Sequence, residues 1–234
     1  MRKTAVIVAG GVGSRMKANM PKQFLKLKGK PIIVHTVSRF LHFNPDLLIA
    51  LVLHPSTFLM WEAAAEQYLS EPDRKRVLVC TGGKSRGESV YNGLLKLRHY
   101  VDTNFPCLVA VHDAVRPLFS NRLLKDAYYL AKEHGASVTC VSVKFSIRQS
   151  LGDGNSKAVD RSLFYEVQTP QTFYLDKLID CYERKPEGTF TDDASLYEAL
   201  GNPVKICKGE YHNIKVTTPD DLFLAEKLMR VYDL

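Results

Sequence analysis

Short apolar segments alternate with segments of helical periodicity over the first 143 residues, and this alternation constrains the fold more than any other feature. The apolar segments read as buried strands: TAVIVAG at 4–10, LLIALVL at 47–53, RVLVCT at 76–81, CLVAV at 107–111 and ASVTCVSV at 136–143. The helical segments between them span 31–43, 58–69, 88–100 and 123–134, with Ser56 as a candidate N-cap of the second and Gly135 closing the last. Strands that alternate with helices form βαβ units, so the sequence predicts an α/β fold with a mostly parallel sheet and helices on both faces.

The pattern changes after residue 143. Residues 144–150 alternate in polarity, a turn-rich stretch follows at 151–156, and a second extended stretch covers 157–167. This order predicts a two-stranded β-arm at about 144–168 that projects from the sheet. Because an isolated ribbon is marginally stable in water, we expect the arm to pack against a second subunit in a homodimer. The remaining elements predicted are helices at 175–184 and 193–200, a strand at 203–207 and a closing helix at 219–232.

The length and composition fit one folded domain over residues 1–234, with 45% hydrophobic and 24% charged residues. No apolar run approaches the ~18 residues that cross a bilayer. The apolar stretch after Lys3 is too short for a signal peptide, so we expect a cytoplasmic protein that does not bind membranes. The five cysteines show neither zinc nor disulfide spacing, which agrees with reduced thiols in a reducing compartment.

The chain is basic, with 32 Lys and Arg against 25 Asp and Glu and a net charge of +7. This excess indicates either an ordinary solvated surface or a site for an anionic partner. No block of five like charges occurs, which argues against nucleic acid as that partner. In parallel α/β sheets ligands bind beyond the carboxyl ends of the strands, so the loops after Ala9, Cys80 and Val111 are the places to search.

A glycine-rich segment follows the first strand. It reads AGGVGSRM at 9–16, with PKQ at 21–23 shortly after. Glycines let consecutive backbone N–H groups approach a phosphate, and Arg15 and Lys22 add positive charge beside it. The dinucleotide fingerprint is excluded because Met16 stands where a small residue is needed, and the GKS at 83–85 lacks the first P-loop glycine. For the glycines alone, a plain tight turn is the alternative.

The third strand ends in a second glycine segment, TGGKSRGESV at 81–90. The absence of side chains at Gly82 and Gly83 could admit the flat face of a base against the backbone. Ser89 could then hydrogen-bond the base or a ribose from the start of the next helix. The alternative is a glycine turn followed by a serine cap.

The fourth strand ends in VHDAVRP at 111–117. A carboxylate at the carboxyl end of a strand is well placed to hold Mg²⁺ near phosphates, which makes Asp113 the candidate metal ligand. Arg116 could pair with Asp113 or with a ligand. We interpret His112 as a structural histidine.

Two later segments also carry charges that could serve chemistry. Asp192 and Asp193 could act on a metal or a proton, but acidic residues at a helix start favour N-capping. Lys215 lies in NIKVTTP at 213–219. If this segment is a short strand, Lys215 would place a positive charge near the sheet edge; the alternative is an ordinary surface lysine.

Taken in order along nearly the whole chain, these motifs resemble the 2-C-methyl-D-erythritol 4-phosphate cytidylyltransferases of the non-mevalonate isoprenoid pathway. The segments that carry the resemblance are AGGVGSRM, MPKQFL, TGGKSRGESVYNGL, VHDAVRP, VDRSLFYEVQTPQTF, TDDAS and NIKVTTPDDL. The resemblance implies a Rossmann-like nucleotidyltransferase fold, a β-arm exchanged across a homodimer, and Mg²⁺-assisted transfer from CTP to a polyol phosphate with release of pyrophosphate. The sister family of ribitol-5-phosphate cytidylyltransferases, which make CDP-ribitol for cell-envelope polymers, is the alternative.

The resemblance also implies roles for individual residues. Arg15, Lys22 and Lys215 would be catalytic, stabilising the reacting phosphates, and Asp113 would position the metal. The nucleotide would be held by Ala9, Gly10, Gly11, Gly13, Gly82, Gly83, Ser89 and Ala114. The acceptor phosphate bound to the neighbouring subunit would be reached from the arm by Ser146 and Arg161.

Two positions depart from the common pattern of the isoprenoid enzymes. Phe145 occupies an aspartate position in the arm, and the Gly10-Gly11 pair is frequent in the sister family. Two other classes are also open: a regulator that binds CTP without turnover, and a basic nucleic-acid-binding protein. The joint presence of Arg15, Lys22, Asp113 and Lys215 argues against the first, and the clustering of basic residues beside glycine loops argues against the second.

Overall fold

The computed structural model describes residues 1–9, 20–102 and 104–232. Its strands, in chain order, are β1 (Arg2–Ala9), β2 (Lys26–Leu27), β3 (Lys30–Pro31), β4 (Leu48–Leu53), β5 (Val77–Thr81), β6 (Cys107–Asp113), β7 (Ala136–Ser142), β8 (Arg148–Gly152), β9 (Asn155–Ala158), β10 (Tyr165–Tyr174) and β11 (Lys205–Lys208). Its α-helices are α1 (Ile32–Phe43), α2 (Phe58–Tyr68), α3 (Glu71–Lys75), α4 (Arg86–Arg98), α5 (Asn121–His134), α6 (Leu175–Glu183), α7 (Asp193–Ala199) and α8 (Pro219–Val231).

The central sheet formed by the described residues has the strand order β11-β7-β10-β6-β1-β4-β5. Neighbouring strands run parallel, except that β10 is antiparallel to both β6 and β7. The prediction of a mostly parallel sheet is confirmed. All seven residues of β6 are buried, as expected for a central strand covered by helices on both faces.

Alternate residues of β1 enter two different cores. Ala5 and Ile7 pack with α1, α2 and α5 on one face, whereas Val6 packs with α4, α6 and α7 on the other. This is the period-two pattern of a strand buried on both sides. On the second face, Gly93 of α4 lies so close to β1 that a Cβ there would be 2.6 Å from Val6 Cγ1, so the helix can approach the sheet only with glycine at this position.

The second half of the predicted arm differs from the expectation of one extended stretch over 157–167. Strand β9 ends at Ala158, a 3₁₀ turn follows at Arg161–Leu163, and β10 begins at Tyr165 inside the central sheet. The buried part of β10 is mostly polar, with Gln168, Thr169 and Gln171 inside and a break in register between Val167 and Gln171. An apolar pattern therefore does not mark this strand.

The prediction that Ser56 caps α2 is wrong. A 3₁₀ turn, Pro55–Thr57, precedes the helix, and the side chain of His54 accepts a hydrogen bond from the Ser56 N–H. The helix itself starts after Thr57 without a side-chain cap.

Strands β8 and β9 form the two-stranded ribbon predicted for the arm. Every residue of both strands is exposed. They are joined through Asp153 and Gly154, which both have positive φ as a type I′ hairpin turn requires. Across the described part of the chain, no helix is long and apolar enough to cross a membrane.

Candidate active site

A cleft of about 290 Å³ opens at the carboxyl ends of β1, β5 and β6. The described residues that line it are Val8, Ala9, Lys22, Gln23, Gly83, Lys84, Ser85, Arg86, Ser89, Asp113, Val115 and Lys215. We call it the main cleft. It brings together six of the residues predicted from the sequence: Ala9, Lys22, Gly83, Ser89, Asp113 and Lys215. The predicted residues Gly10, Gly11, Gly13 and Arg15 lie outside the described residues.

Lys22 stands at the start of a 3₁₀ turn that is fastened to the end of β1. Its neighbour Gln23 is buried and donates from Nε2 to the carbonyl of Ala9 at 2.9 Å. The following residue, Phe24, packs into the core beside Ala9. The lysine therefore projects into the cleft from a backbone that is anchored on both the polar and the apolar side.

Ser89 holds the second glycine loop in place. Its hydroxyl accepts a hydrogen bond from the Gly83 N–H at 3.0 Å and donates to the Ser85 carbonyl at 2.9 Å. A Cβ at Gly83 would fall 2.3 Å from that of Glu88, so this close turn needs glycine. Because the only proton of the Ser89 hydroxyl is used inside the loop, its direct contact with a nucleotide stays a prediction. The serine cap of the alternative interpretation is present, at Ser85, which accepts from the Glu88 N–H.

Asp113 lies at the centre of a group of cations. Its Oδ2 is 2.9 Å from Lys215 Nζ and 3.4 Å from Arg116 Nε. Burial would raise the pKa of Asp113, but the charges of Lys215, Arg86 and Arg116 outweigh it and lower the pKa to about 2. The carboxylate is therefore ionised at neutral pH and holds the Lys215 ammonium at the floor of the cleft.

Lys215 reaches this site from a segment without regular structure, so the expectation of a short strand there is wrong. The segment is held by the Val216 N–H, which donates to the Val115 carbonyl at 2.9 Å. Ala114, predicted to line the nucleotide, is fully buried in the core, and its neighbour Val115 stands in the cleft wall instead. Ala114 directly follows β6 and faces the core. Its carbonyl accepts a hydrogen bond from the Thr36 hydroxyl of α1.

His112 is structural, as interpreted from the sequence. It is fully buried between Phe40 and Phe119, and its Nε2 lies 3.0 Å from the Arg116 carbonyl, a contact in which the ring nitrogen donates. Burial lowers the pKa of His112 to about 4, so the imidazole is neutral at pH 7.

Arg86 is a site residue that the sequence reasoning missed. Its guanidinium lies 2.9 Å from Asp193, which is fully buried and also accepts from the Tyr182 hydroxyl at 2.6 Å. Burial disfavours the charge of Arg86, but the carboxylates of Asp193 and Asp113 outweigh it and hold the pKa of Arg86 above its usual value. The available signal was an arginine three residues after the Gly82-Gly83 pair, at the start of α4.

The two aspartates at the start of α7 have different roles. Asp192 is the N-cap and forms a capping box with Ser195, so the capping interpretation is confirmed for it. Gln171 supports the same turn: its Oε1 accepts from the N–H groups of Asp193 and Ala194, and its Nε2 donates to Asp192. Asp193 instead serves as the buried counter-ion of Arg86.

A second cavity of about 260 Å³ adjoins the main cleft, and we call it the side cavity. Both are bordered by Arg86, Asp113 and Lys215, so these three charged groups stand between the two spaces. The other described residues that line the side cavity are Arg116, Val167, Gln168, Thr169, Gln171, Thr191 and Asp192.

The two arm residues predicted to contact substrate, Ser146 and Arg161, lie elsewhere. Both are exposed, and neither is among the described residues that line the main cleft or the side cavity. Arg161 donates to the Lys144 carbonyl, which closes the base of the arm. Within this one chain, the two residues are therefore not assembled with the rest of the site.

The chemistry of the site fits a divalent cation held partly by a ligand's phosphates. Among the residues that the structure describes, no group of three or more His, Cys, Asp and Glu side chains could form a metal cage. Mg²⁺ is commonly held by one or two carboxylates together with phosphates and waters, and the ionised Asp113 supplies one such carboxylate.

A mostly parallel α/β sheet, with a glycine loop after β5 and a cation-lined cleft at its carboxyl edge, fits the architecture of the Rossmann-like nucleotidyltransferases. Comparisons with known proteins narrow this class. The family model described as IspD, 2-C-methyl-D-erythritol 4-phosphate cytidylyltransferase, matches residues 3–231, and the chain belongs to this family of enzymes.

Individual relatives and structures agree with this assignment. The enzyme of that name from Azobacteroides pseudotrichonymphae is 42% identical over 230 residues, which cover 97% of this chain and 99% of the relative. The one from Porphyromonas gingivalis is also 42% identical, with 97% and 98% covered. The crystal structure of 4-diphosphocytidyl-2C-methyl-D-erythritol synthase from Anaerococcus prevotii superposes with a TM-score of 0.82 at 26% identity, covering 98% of this chain and 96% of that one.

Proposed function

We propose that this protein transfers a cytidylyl group from CTP to 2-C-methyl-D-erythritol 4-phosphate, giving CDP-methylerythritol and pyrophosphate. The observation that carries the proposal is the pair of adjoining cavities with Arg86, Asp113 and Lys215 between them. A transfer between two phosphate compounds needs two anion sites that meet at a cationic boundary. The family to which the chain belongs supplies the identity of the two substrates.

The proposed reaction needs positioning and charge more than proton transfer. An oxygen of the acceptor phosphate attacks the α-phosphorus of CTP, a new phosphorus–oxygen bond forms, and the bond to the leaving pyrophosphate breaks. Because the nucleophile is already an anion, no strong general base is required. Lys22 and Lys215 would neutralise charge on the reacting phosphates, and Arg15 has the same proposed role.

Nucleotide binding is assigned to the main cleft. The backbone from Ala9 into Gly10, Gly11 and Gly13 would hold the triphosphate. The loop of Gly82 and Gly83, held by Ser89, would accept the cytosine and ribose. Val115 takes the wall position that was expected for Ala114.

The acceptor is assigned to the side cavity. Arg116 offers a guanidinium there, and Thr169 and Thr191 offer hydroxyl groups, which suits a phosphorylated polyol. Ser146 and Arg161 would complete this cavity from the arm of a second subunit.

A divalent cation is part of the proposal, with Asp113 as its protein ligand. When bound, Mg²⁺ would neutralise triphosphate charge and favour departure of pyrophosphate. A cytoplasmic location also remains a prediction from the sequence.

The acceptor identity can be tested by measuring pyrophosphate release with CTP and Mg²⁺. We expect release with 2-C-methyl-D-erythritol 4-phosphate, none with ribitol 5-phosphate, and loss of activity when the metal is chelated. Release with ribitol 5-phosphate alone would overturn the proposal in favour of CDP-ribitol synthesis. CTP binding without pyrophosphate release from either acceptor would indicate a nucleotide-binding regulator.

The proposed homodimer rests on the apolar side chains of the arm. Phe145, Leu151 and Leu163 are 78%, 58% and 75% exposed, which is unusual for a group of large apolar residues unless a partner covers them. We expect the wild-type chain to sediment as a dimer and the Phe145→Ser, Leu163→Ser double variant to shift towards monomer. The control is Tyr129→Ser on α5, which is similarly exposed but lies away from the arm. A monomeric wild-type protein would contradict the proposal.

A further inference from the structure

The segment from Gly209 to Val216 delivers Lys215 to Asp113, and a buried glutamine of β10 fastens it to the sheet. The side-chain amide of Gln168 pairs with the backbone of Glu210 in both directions. Its Nε2 donates to the Glu210 carbonyl at 2.9 Å, and its Oε1 accepts from the Glu210 N–H at 3.3 Å. The Gln168 amide thus satisfies both backbone groups of Glu210, as a neighbouring β-strand would do.

Asn213 is the second fastening point and is completely buried. Its Nδ2 donates to the Thr169 carbonyl at 2.8 Å and to Gln168 Oε1 at 3.3 Å. Its own N–H donates to the Glu210 carbonyl at 2.9 Å, which closes a turn over 210–213. The turn is therefore held to β10 by hydrogen bonds from two amide side chains.

The same turn also positions Arg116. The carbonyl of Asn213 accepts from Arg116 Nη1 at 2.8 Å, while Arg116 Nε faces Asp113. Two residues later, Lys215 Nζ reaches the same carboxylate oxygen. Both cations at Asp113 therefore depend on where this one turn lies.

The approach of Gln168 is close enough to restrict the sequence of the segment. A Cβ at Gly209 would lie 2.5 Å from Gln168 Oε1 and 3.0 Å from the Cys140 carbonyl oxygen. The Gly209 N–H donates to that same carbonyl at 2.7 Å. The glycine lets the segment come within hydrogen-bonding distance of Gln168.

We propose that Gln168 and Asn213 are positioning residues that act through Lys215 and Arg116. This inference rests on the proposed function, because it assigns a purpose to the placement of Lys215 at the boundary between the two cavities and of Arg116 in the side cavity. The Lys215 side chain is 41% exposed and flexible, so its direction is set by the backbone it leaves and by Asp113. Loosening the turn should therefore misplace charge at the reacting phosphates while leaving the Gly83 loop of the main cleft intact.

The test is a double-mutant cycle between Gln168→Met, which keeps the side-chain length but removes its hydrogen bonds, and Lys215→Ala. We expect Gln168→Met to lower kcat at least ~10-fold, with the dissociation constant for CTP changed less than ~3-fold. In the Lys215→Ala background the same change should lower kcat less than ~3-fold, because only the effect through Arg116 remains. If Gln168→Met caused only a general structural defect, it would lower kcat by the same factor in the wild-type and Lys215→Ala backgrounds. That result would overturn the inference.

Thr172→Val is the matched control. Thr172 lies on the same strand and is also buried, and its hydroxyl has no hydrogen-bond partner among the described residues. We expect kcat to stay within ~2-fold of wild type. The thermal midpoints of all variants, measured on the same samples, correct kcat for the fraction folded.

A second readout does not depend on turnover. Amine acylation followed by mass spectrometry should modify Lys215 at least ~5-fold faster in Gln168→Met than in wild type, because the side chain is no longer held against Asp113 and is more accessible to the reagent. The exposed Lys177 should react equally in both proteins. An unchanged Lys215 rate would overturn the inference. If wild type releases no pyrophosphate, the proposed function fails separately, and the labelling result still decides whether Gln168 sets the position of Lys215.

Discussion

Replacing Lys22 by alanine is expected to lower the turnover number by ~10²-fold or more, with a smaller loss of CTP affinity. The lysine projects into the main cleft from a turn that is anchored to β1 through Gln23. Its charge is worth most when negative charge builds on the leaving pyrophosphate, because the preorganised cation then needs no rearrangement of solvent. Steady-state turnover and equilibrium binding of CTP, measured on the same preparation, separate the two effects.

Lys26→Ala is the control for Lys22→Ala. Lys26 is exposed on β2, four residues further along, so its loss removes the same charge from the chain without changing the cleft. Turnover should stay within ~2-fold of wild type. If Lys22→Ala also kept its wild-type turnover, the role assigned to Lys22 would have to be abandoned.

Replacing Asp193 by alanine is expected to destabilise the fold by about 3 kcal/mol. Asp193 is completely buried, and its loss leaves the Arg86 guanidinium and the Tyr182 hydroxyl without their shared acceptor. Breaking a buried pair from one side generally costs about 3–5 kcal/mol, and the 31% exposure of the Arg86 side chain places this case at the lower end. Urea unfolding at neutral pH measures the change in the free energy of unfolding.

The comparison for Asp193→Ala is an exposed pair in the same protein. Glu71 and Lys75 are 2.8 Å apart on α3 with both side chains largely in water, and Glu71→Ala should change stability by no more than about 0.5 kcal/mol. Adding Arg86→Met to Asp193→Ala should recover part of the loss, because the stranded charge is removed. Equal effects of Asp193→Ala and Glu71→Ala would show that the buried pair contributes nothing special.

The regular part of the fold could be predicted because its signals are local. Apolar runs of strand length, the helices between them and the Gly135 stop all depend on neighbours within one element, and the resulting α/β sheet agrees with the structure. Strand β10 was missed because most of its buried residues are polar. Gln168 and Gln171 resemble loop residues in the sequence, and only the structure shows that their side chains hold neighbouring turns.

In the candidate site, too, the features with local sequence signals could be predicted and the contacts between distant residues could not. Glycine loops at strand ends, Lys22 after the first and Asp113 after β6 could be named from sequence, because parallel strands deliver their carboxyl ends to one edge. The side chains with which these residues form ion pairs could not be predicted from the sequence. Lys215 meets Asp113 across about a hundred residues of chain, and Arg86 meets Asp193 across a similar distance.

The sequence by itself determined the α/β class, the position of the cleft at the carboxyl edge of the sheet, and the family. These follow from the order of short-range patterns along the chain. Only the tertiary structure decided which charges share the cleft, that Asp193 is a buried counter-ion, and that two amide side chains hold the turn carrying Lys215. Such contacts depend on the distance and direction between side chains from separate elements, which are set when the helices and loops pack against the sheet.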